Sequence, residues 1–149
     1  MHVEFFANTF ESVLDKLKRE IEQYPNDESL WRKEGAINNS AGNLCLHLLG
    51  NLNNYIGANL GKTGYVRDRP AEFANRGMRA DQLLEQIAAT KEMIAASLGG
   101  LAEADLESEY PGTEPNTAPN STGDELVSIL SHFSYHLGQI NYHRRLAIK

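Results

Sequence analysis

The chain of 149 residues contains one cysteine, one tryptophan and five prolines, and each scarcity removes a class of architecture. A lone thiol, Cys45, forms no internal disulfide, so packing must hold the fold, and the disulfide scaffolds of small secreted domains are excluded. No apolar run approaches the ~18 residues that a membrane-spanning helix needs, and the mean hydropathy is negative. Positive charge is also scarce. Fourteen Lys and Arg stand against twenty Asp and Glu, a net charge of −6, which repels phosphate backbones and argues against a nucleic-acid partner. The one basic cluster, His143, Arg144, Arg145 and Lys149, has the sign that complements a helix C-terminus. The start, Met1-His2-Val3-Glu4-Phe5-Phe6, lacks a basic leader before an apolar run, so no cleaved signal peptide is expected and the expected location is cytoplasmic.

What is present is helical periodicity. Phe5, Phe6, Phe10, Val13, Leu14, Leu17 and Ile21 recur at steps of three and four, predicting a helix over about residues 2–24 that Pro25-Asn26-Asp27 ends. A second stripe runs from Ala41 through Leu44, Leu48, Leu52, Tyr55 and Ile56 to Gly61. Residues 61–79 lack periodicity and read as a long surface connection with room for a short helical turn. A third helix is predicted over about 80–98, with Leu83, Leu84, Ile87, Met93 or Ile94, and Leu98 inward. Pro111, Gly112, Pro115 and Pro119 then interrupt regular structure. Thr122 and Glu125 have capping-box spacing and open a last helix whose apolar face is Leu126, Ile129, Leu130, Phe133, Leu137 and Ile140. Four amphipathic helices without comparable strand-like alternation predict a single all-α domain over 1–149, a four-helix bundle.

Chemistry concentrates in the histidines. His132 and His136 stand four apart, so their imidazoles leave the last helix from one face within roughly 40° of arc. On the second helix His47 shares a polar strip with Asn51 and Asn54 at the border of the apolar face. If that strip faces the flank of the last helix, three imidazoles meet, a ligand type suited to zinc, nickel, copper or iron, with a coordination position left for water or substrate. The alternative is hydrogen-bonded core histidines. His143 falls near the same sector, but about 10 Å of helix rise separates it from His136. His2 reads as solvated. Cys45 is turned by roughly 200° from His47 and reads as a buried thiol among leucines. No nucleophile motif of the Ser-His-acid type is found.

The segment Ser131-His132-Phe133-Ser134-Tyr135-His136-Leu137-Gly138-Gln139-Ile140 resembles the last-helix motif of the DinB-like superfamily. Asn43-Leu44-Cys45-Leu46-His47-Leu48-Leu49-Gly50-Asn51-Leu52 resembles its second-helix segment, and Arg67-Asp68-Arg69-Pro70-Ala71-Glu72-Phe73 is similar to a loop of one uncharacterised branch. The resemblance implies His47, His132 and His136 as ligands of one divalent transition metal, zinc, nickel or iron. It also implies an up-down-down-up four-helix bundle and a homodimer. Characterised relatives transfer bacillithiol, mycothiol or glutathione, so the implied activity is metal-dependent transfer of a low-molecular-weight thiol to an electrophile, or metal-assisted hydrolysis.

Around such a site Asn51 and Gln139 are candidates for orienting ligands or touching substrate, with helix-packing hydrogen bonds as the plainer alternative. Arg67 and Arg69 have the fork that clamps a substrate carboxylate, and the plainer alternative is a loop salt bridge with Asp68 or Glu72. The competing functional class is a non-catalytic dimeric protein that binds metal or a small molecule. No general base is identified by the sequence.

Overall fold

The structure is a computed structural model describing residues 2–147; Met1, Ile148 and Lys149, the last a member of the basic C-terminal cluster, lie outside the described residues. It contains six α-helices: α1 (Val3–Glu22), α2 (Asp27–Leu30), α3 (Ala41–Leu52), α4 (Arg69–Ala74), α5 (Ala80–Gly99) and α6 (Thr122–Ala147). A π-helical turn (Asn53–Ala58) continues α3, and a 3-10 turn (Glu103–Leu106) follows α5. Among the described residues there is no strand, only one antiparallel bridge between Glu109 and Ser121.

Helix α1 forms because its apolar side chains line one face, and Phe6, Phe10, Val13, Leu14, Leu17 and Ile21 are buried there. Phe5, expected on the same stripe, is 53% exposed: it lies one residue off the buried row and stacks edge-on against Phe6. Helix α1 packs on α5 and α6, and α3 packs on α4, α5 and α6. The core thus joins Leu14 and Leu17 with Leu48, Leu52, Leu83, Ile87, Phe133 and Ile140. At the far end of α6, Arg144 Nε pairs with Glu20 Oε2 at 2.6 Å and Asn141 Nδ2 donates to Glu20 Oε1 at 2.7 Å, tying the last helix to the first.

The start of α6 is shifted by one residue from the sequence expectation. Ser121, not Thr122, accepts from the backbone N–H three residues on, at Asp124 (3.1 Å), while Thr122 is buried. Glu125 turns to Asn120 Nδ2 (3.4 Å). The long connection 61–79 does contain a helix, α4, started by Asp68 Oδ1 accepting from Ala71 N–H (3.1 Å) with Pro70 in the first turn.

Beyond Leu52 the continuation of α3 departs from α geometry. Asn59 N–H reaches back five residues to the Asn54 carbonyl, and Leu60 N–H goes to Ile56, so the Tyr55 carbonyl takes the Tyr110 hydroxyl instead (2.7 Å). Tyr110 is buried, also accepts from Asn59 Nδ2 (2.8 Å), and is flanked by ladder bonds Tyr110 N–H to Asn120 C=O and Thr122 N–H to Ser108 C=O. The proline-containing loop is therefore fastened at its base to the π turn.

Candidate metal centre

The polar strip of α3 does face the flank of α6. His47 Nε2 lies 3.2 Å from His132 Nε2, which lies 3.2 Å from His136 Nε2. One ring nitrogen from each of the three is within 4.8 Å of the other two, a group able to hold a metal ion. Bonds of about 2.0–2.1 Å to a tetrahedral ion would set neighbouring nitrogens about 3.3 Å apart. The observed separations fit that spacing.

The rear nitrogens explain why the rings point this way. His47 Nδ1 lies between Glu72 Oε1 (3.1 Å) and Arg67 Nη2 (3.2 Å) and, when it carries the ring proton, donates to the carboxylate; His136 Nδ1 donates to Gln139 Oε1 (2.7 Å). A proton held at Nδ1 leaves the Nε2 lone pair free and aimed at the centre. His132 differs, because its Nδ1 is buried and among the described residues has no hydrogen-bond partner. Lone pairs this close repel unless something positive sits among them. A single proton on His132 Nε2 serves one neighbour well, whereas a cation serves all three nitrogens.

Burial favours the neutral form of two of the rings, the form that ligation requires. Burial, reinforced by the potential positive charges of His136 and His47, pushes His132 down to about 4. Burial also lowers His47, against the opposing pull of Glu72.

Glu72 is the participant that sequence reasoning missed, having placed it only as a loop salt-bridge partner. It is buried on α4, and Arg67 grips it with two bonds, Nε to Oε2 and Nη2 to Oε1, each 2.9 Å. Oε1 thus bridges the guanidinium and His47. Two further residues make room for it. A Cβ built on Gly50 would collide with the Glu72 carboxylate, so glycine on α3 is what lets the acid reach the histidine. Asn43, also buried, donates to the carbonyls of Glu72 (3.0 Å) and Asn75 (2.8 Å), clamping α4 onto α3, and is itself held by Ser40 Oγ (2.7 Å). The available signal was Asp68 with Pro70 two residues later, a helix-start pattern that puts Glu72 on a short helix.

The other expected residues separate. Gln139 is at the site through His136, and Asn51 lines the same cleft as the three histidines. Arg67 pairs with Glu72, the plainer of its two expected roles, and its Nη2 also lies 3.2 Å from His47 Nδ1. Arg69 is exposed, stacks over Phe73 at 5.4 Å and lines the cleft; among the described residues no carboxylate pairs with it. His143 is no ligand: Tyr24 Oη lies 2.7 Å from its Nδ1, and its Nε2 donates to Arg32 C=O (2.8 Å). His2 is solvated beside Glu103, and Cys45 is fully buried.

The cleft has a volume of about 490 Å³ and is bordered by His47, His132 and His136 together with Asn51, Tyr55, Arg69 and Glu125. A group bound by the three nitrogens would therefore face space large enough for a small molecule.

Comparisons with known proteins agree with the fold. A crystal structure of a conserved protein from Enterococcus faecalis superposes with a TM-score of 0.77 over 99% of this chain and 98% of that one, at 19% identity. No functionally curated protein matches. The family model described as "Protein of unknown function (DUF1572)" matches residues 1–148, and the chain therefore belongs to that family.

Proposed function

We propose that the chain is a metal-dependent enzyme of DinB-like type, in which His47, His132 and His136 hold one divalent transition ion, zinc, nickel or iron. The observation that carries this is the convergence of three Nε2 atoms at 3.2 Å steps, two of them on rings whose rear nitrogens meet Glu72 and Gln139. When bound, such an ion supplies Lewis acidity, lowering the pKa of a thiol or water at neutral pH. Among the chain's own groups, Glu72 orients His47 and raises its basicity, Gln139 orients His136, and Arg67 holds Glu72 in place. Arg69 and Asn51 are placed to bind and orient a substrate that enters the cleft.

Transfer of a low-molecular-weight thiol to an electrophile is the reaction we favour, with metal-assisted hydrolysis as its variant. The support is the family resemblance of the histidine motifs and an open cleft beside the ligand nitrogens. We take the four long helices as an up-down-down-up bundle, a course supported by α1 lying against α5 and α6 while α3 lies against the same two. A homodimer and a cytoplasmic location belong to the same reading.

The test is elemental analysis of untagged protein purified without chelator, beside a His132→Ala, His136→Ala variant. Near one equivalent of metal in the wild type and none in the variant is expected, followed by thiol-dependent consumption of an electrophile that His47→Ala abolishes. Absence of metal in both after incubation with zinc, nickel and iron would overturn the proposal. Metal without turnover would leave a metal-binding protein.

A further inference from the structure

Tyr55 and Glu125 border two clefts at once. The first opens from the histidines; the second, about 510 Å³, lies under the proline-containing loop and is lined by Tyr110, Thr113, Glu114 and Asn120. The two clefts thus adjoin at Tyr55 and Glu125, and taken together as one groove they carry basic side chains toward the histidines and acidic ones toward the loop. The histidine end carries Arg67 and Arg69, of which Arg67 is neutralised by Glu72 and Arg69 has no carboxylate partner among the described residues. The loop end carries Glu114 and Glu125 and no basic side chain.

Glu125 is set up to face a ligand. It is half-buried, and apart from the long bond from Asn120 Nδ2 (3.4 Å) no lysine or arginine pairs with it among the described residues. It stands seven residues before His132 on α6, so the two side chains leave the helix on nearly the same side, about 10 Å apart along its axis. That is too far for proton transfer at the histidines and suits recognition of a distant part of the same molecule. The loop end is held in place, because Tyr110 binds the Tyr55 carbonyl and Asn59, and the loop base is laddered on either side.

From this layout we infer that the groove selects a dipolar small molecule, with its anionic end at Arg69 beside the histidines and an ammonium group at Glu125, two helical turns before His132 on α6. Glu125 is then a specificity residue. The inference deepens the proposed function by naming the charge pattern of the ligand, and it rests on that reading only in taking the histidine end as the reactive one.

The test is calorimetric titration of the full metal-loaded chain with three probes: octanoate, octylammonium, and octanoate aminated on its terminal carbon. The aminated acid is expected to bind about ten-fold tighter than either singly charged probe, the advantage of one partly buried charge-assisted contact. Glu125→Gln should erase the advantage over octanoate while leaving octanoate binding and metal content unchanged, and Arg69→Gln should erase the advantage over octylammonium. Equal binding of octanoate and its aminated form by the wild type, or an advantage that survives Glu125→Gln, would overturn the inference. If the protein takes up no metal, the same titration of the metal-free chain still reads the charge preference, so failure of the metal site and failure of the groove give different results.

Discussion

Glu72 Oε1 on α4 lies 3.1 Å from His47 Nδ1 on α3, and both side chains are almost wholly shielded from solvent. The bond fixes which ring nitrogen of His47 faces His132. Outer carboxylates of this kind change metal affinity by roughly 10–100-fold when removed. Glu72→Gln is therefore expected to weaken zinc binding by that factor, measured by competition with a chromogenic chelator, with helical content retained. Unchanged affinity would mean that His47 is oriented by packing alone.

Gly50 and Glu72 should behave as one unit. Gly50→Ala puts a methyl group where the carboxylate sits, so it should weaken zinc binding about as much as Glu72→Ala does. The double variant should then be little worse than either single one. Additive losses in the double-mutant cycle would separate the two residues and contradict their close packing.

His143 offers a control for the triad. Its two ring nitrogens are taken by Tyr24 and Arg32 C=O, so His143→Ala should leave the metal stoichiometry of the wild type intact. It should lower unfolding free energy by about 2–3 kcal/mol, through a buried void and unpaired partners. Loss of metal in this variant, with folding preserved, would point to a different ligand set.

Burial pushes the Cys45 thiol up to about 12, since nothing near it stabilises a thiolate. The thiolate is the reactive form, so native protein at pH 8 should label with iodoacetamide orders of magnitude more slowly than protein unfolded in guanidinium. Raising the pH toward 10 should leave native labelling slow. Rapid native labelling would show that the thiol reaches solvent, and would bring Cys45 back as a chemical participant.

Tyr110→Phe removes a hydroxyl that donates to the Tyr55 carbonyl and accepts from Asn59. A cost of about 1–3 kcal/mol is expected from the partners left unsatisfied. Hydrogen exchange should speed up at 110–120 and at the π turn, with α1 and α5 unaffected. Uniform acceleration across the chain would instead indicate global destabilisation.

Periodicity along the chain was enough to locate the long helices, because an apolar stripe is a local property of a helix and survives any tertiary arrangement. It also placed His132 and His136 together, since spacing on one helix fixes their relative direction, and it pointed Cys45 away from His47. The boundary at Ser121 and the exposure of Phe5 were missed by a single residue's offset, where local pattern does not discriminate. Which face of α3 meets α6 was a conditional of the sequence, and only packing decided it. The role of Glu72 was not legible at all: its partners, Arg67 apart, come from distant positions, and its place depends on a missing side chain at Gly50 and on Asn43 holding α4 down. Likewise, no stretch of sequence states that the Tyr55 carbonyl is freed by a π turn and taken by Tyr110. The sequence by itself determined the helices and the pairing of His132 with His136 on one face, because those follow from interactions within a few turns. Tertiary structure decided which way the three histidines face and which charged side chains border the clefts beside them, because both arise where separate helices and loops come together.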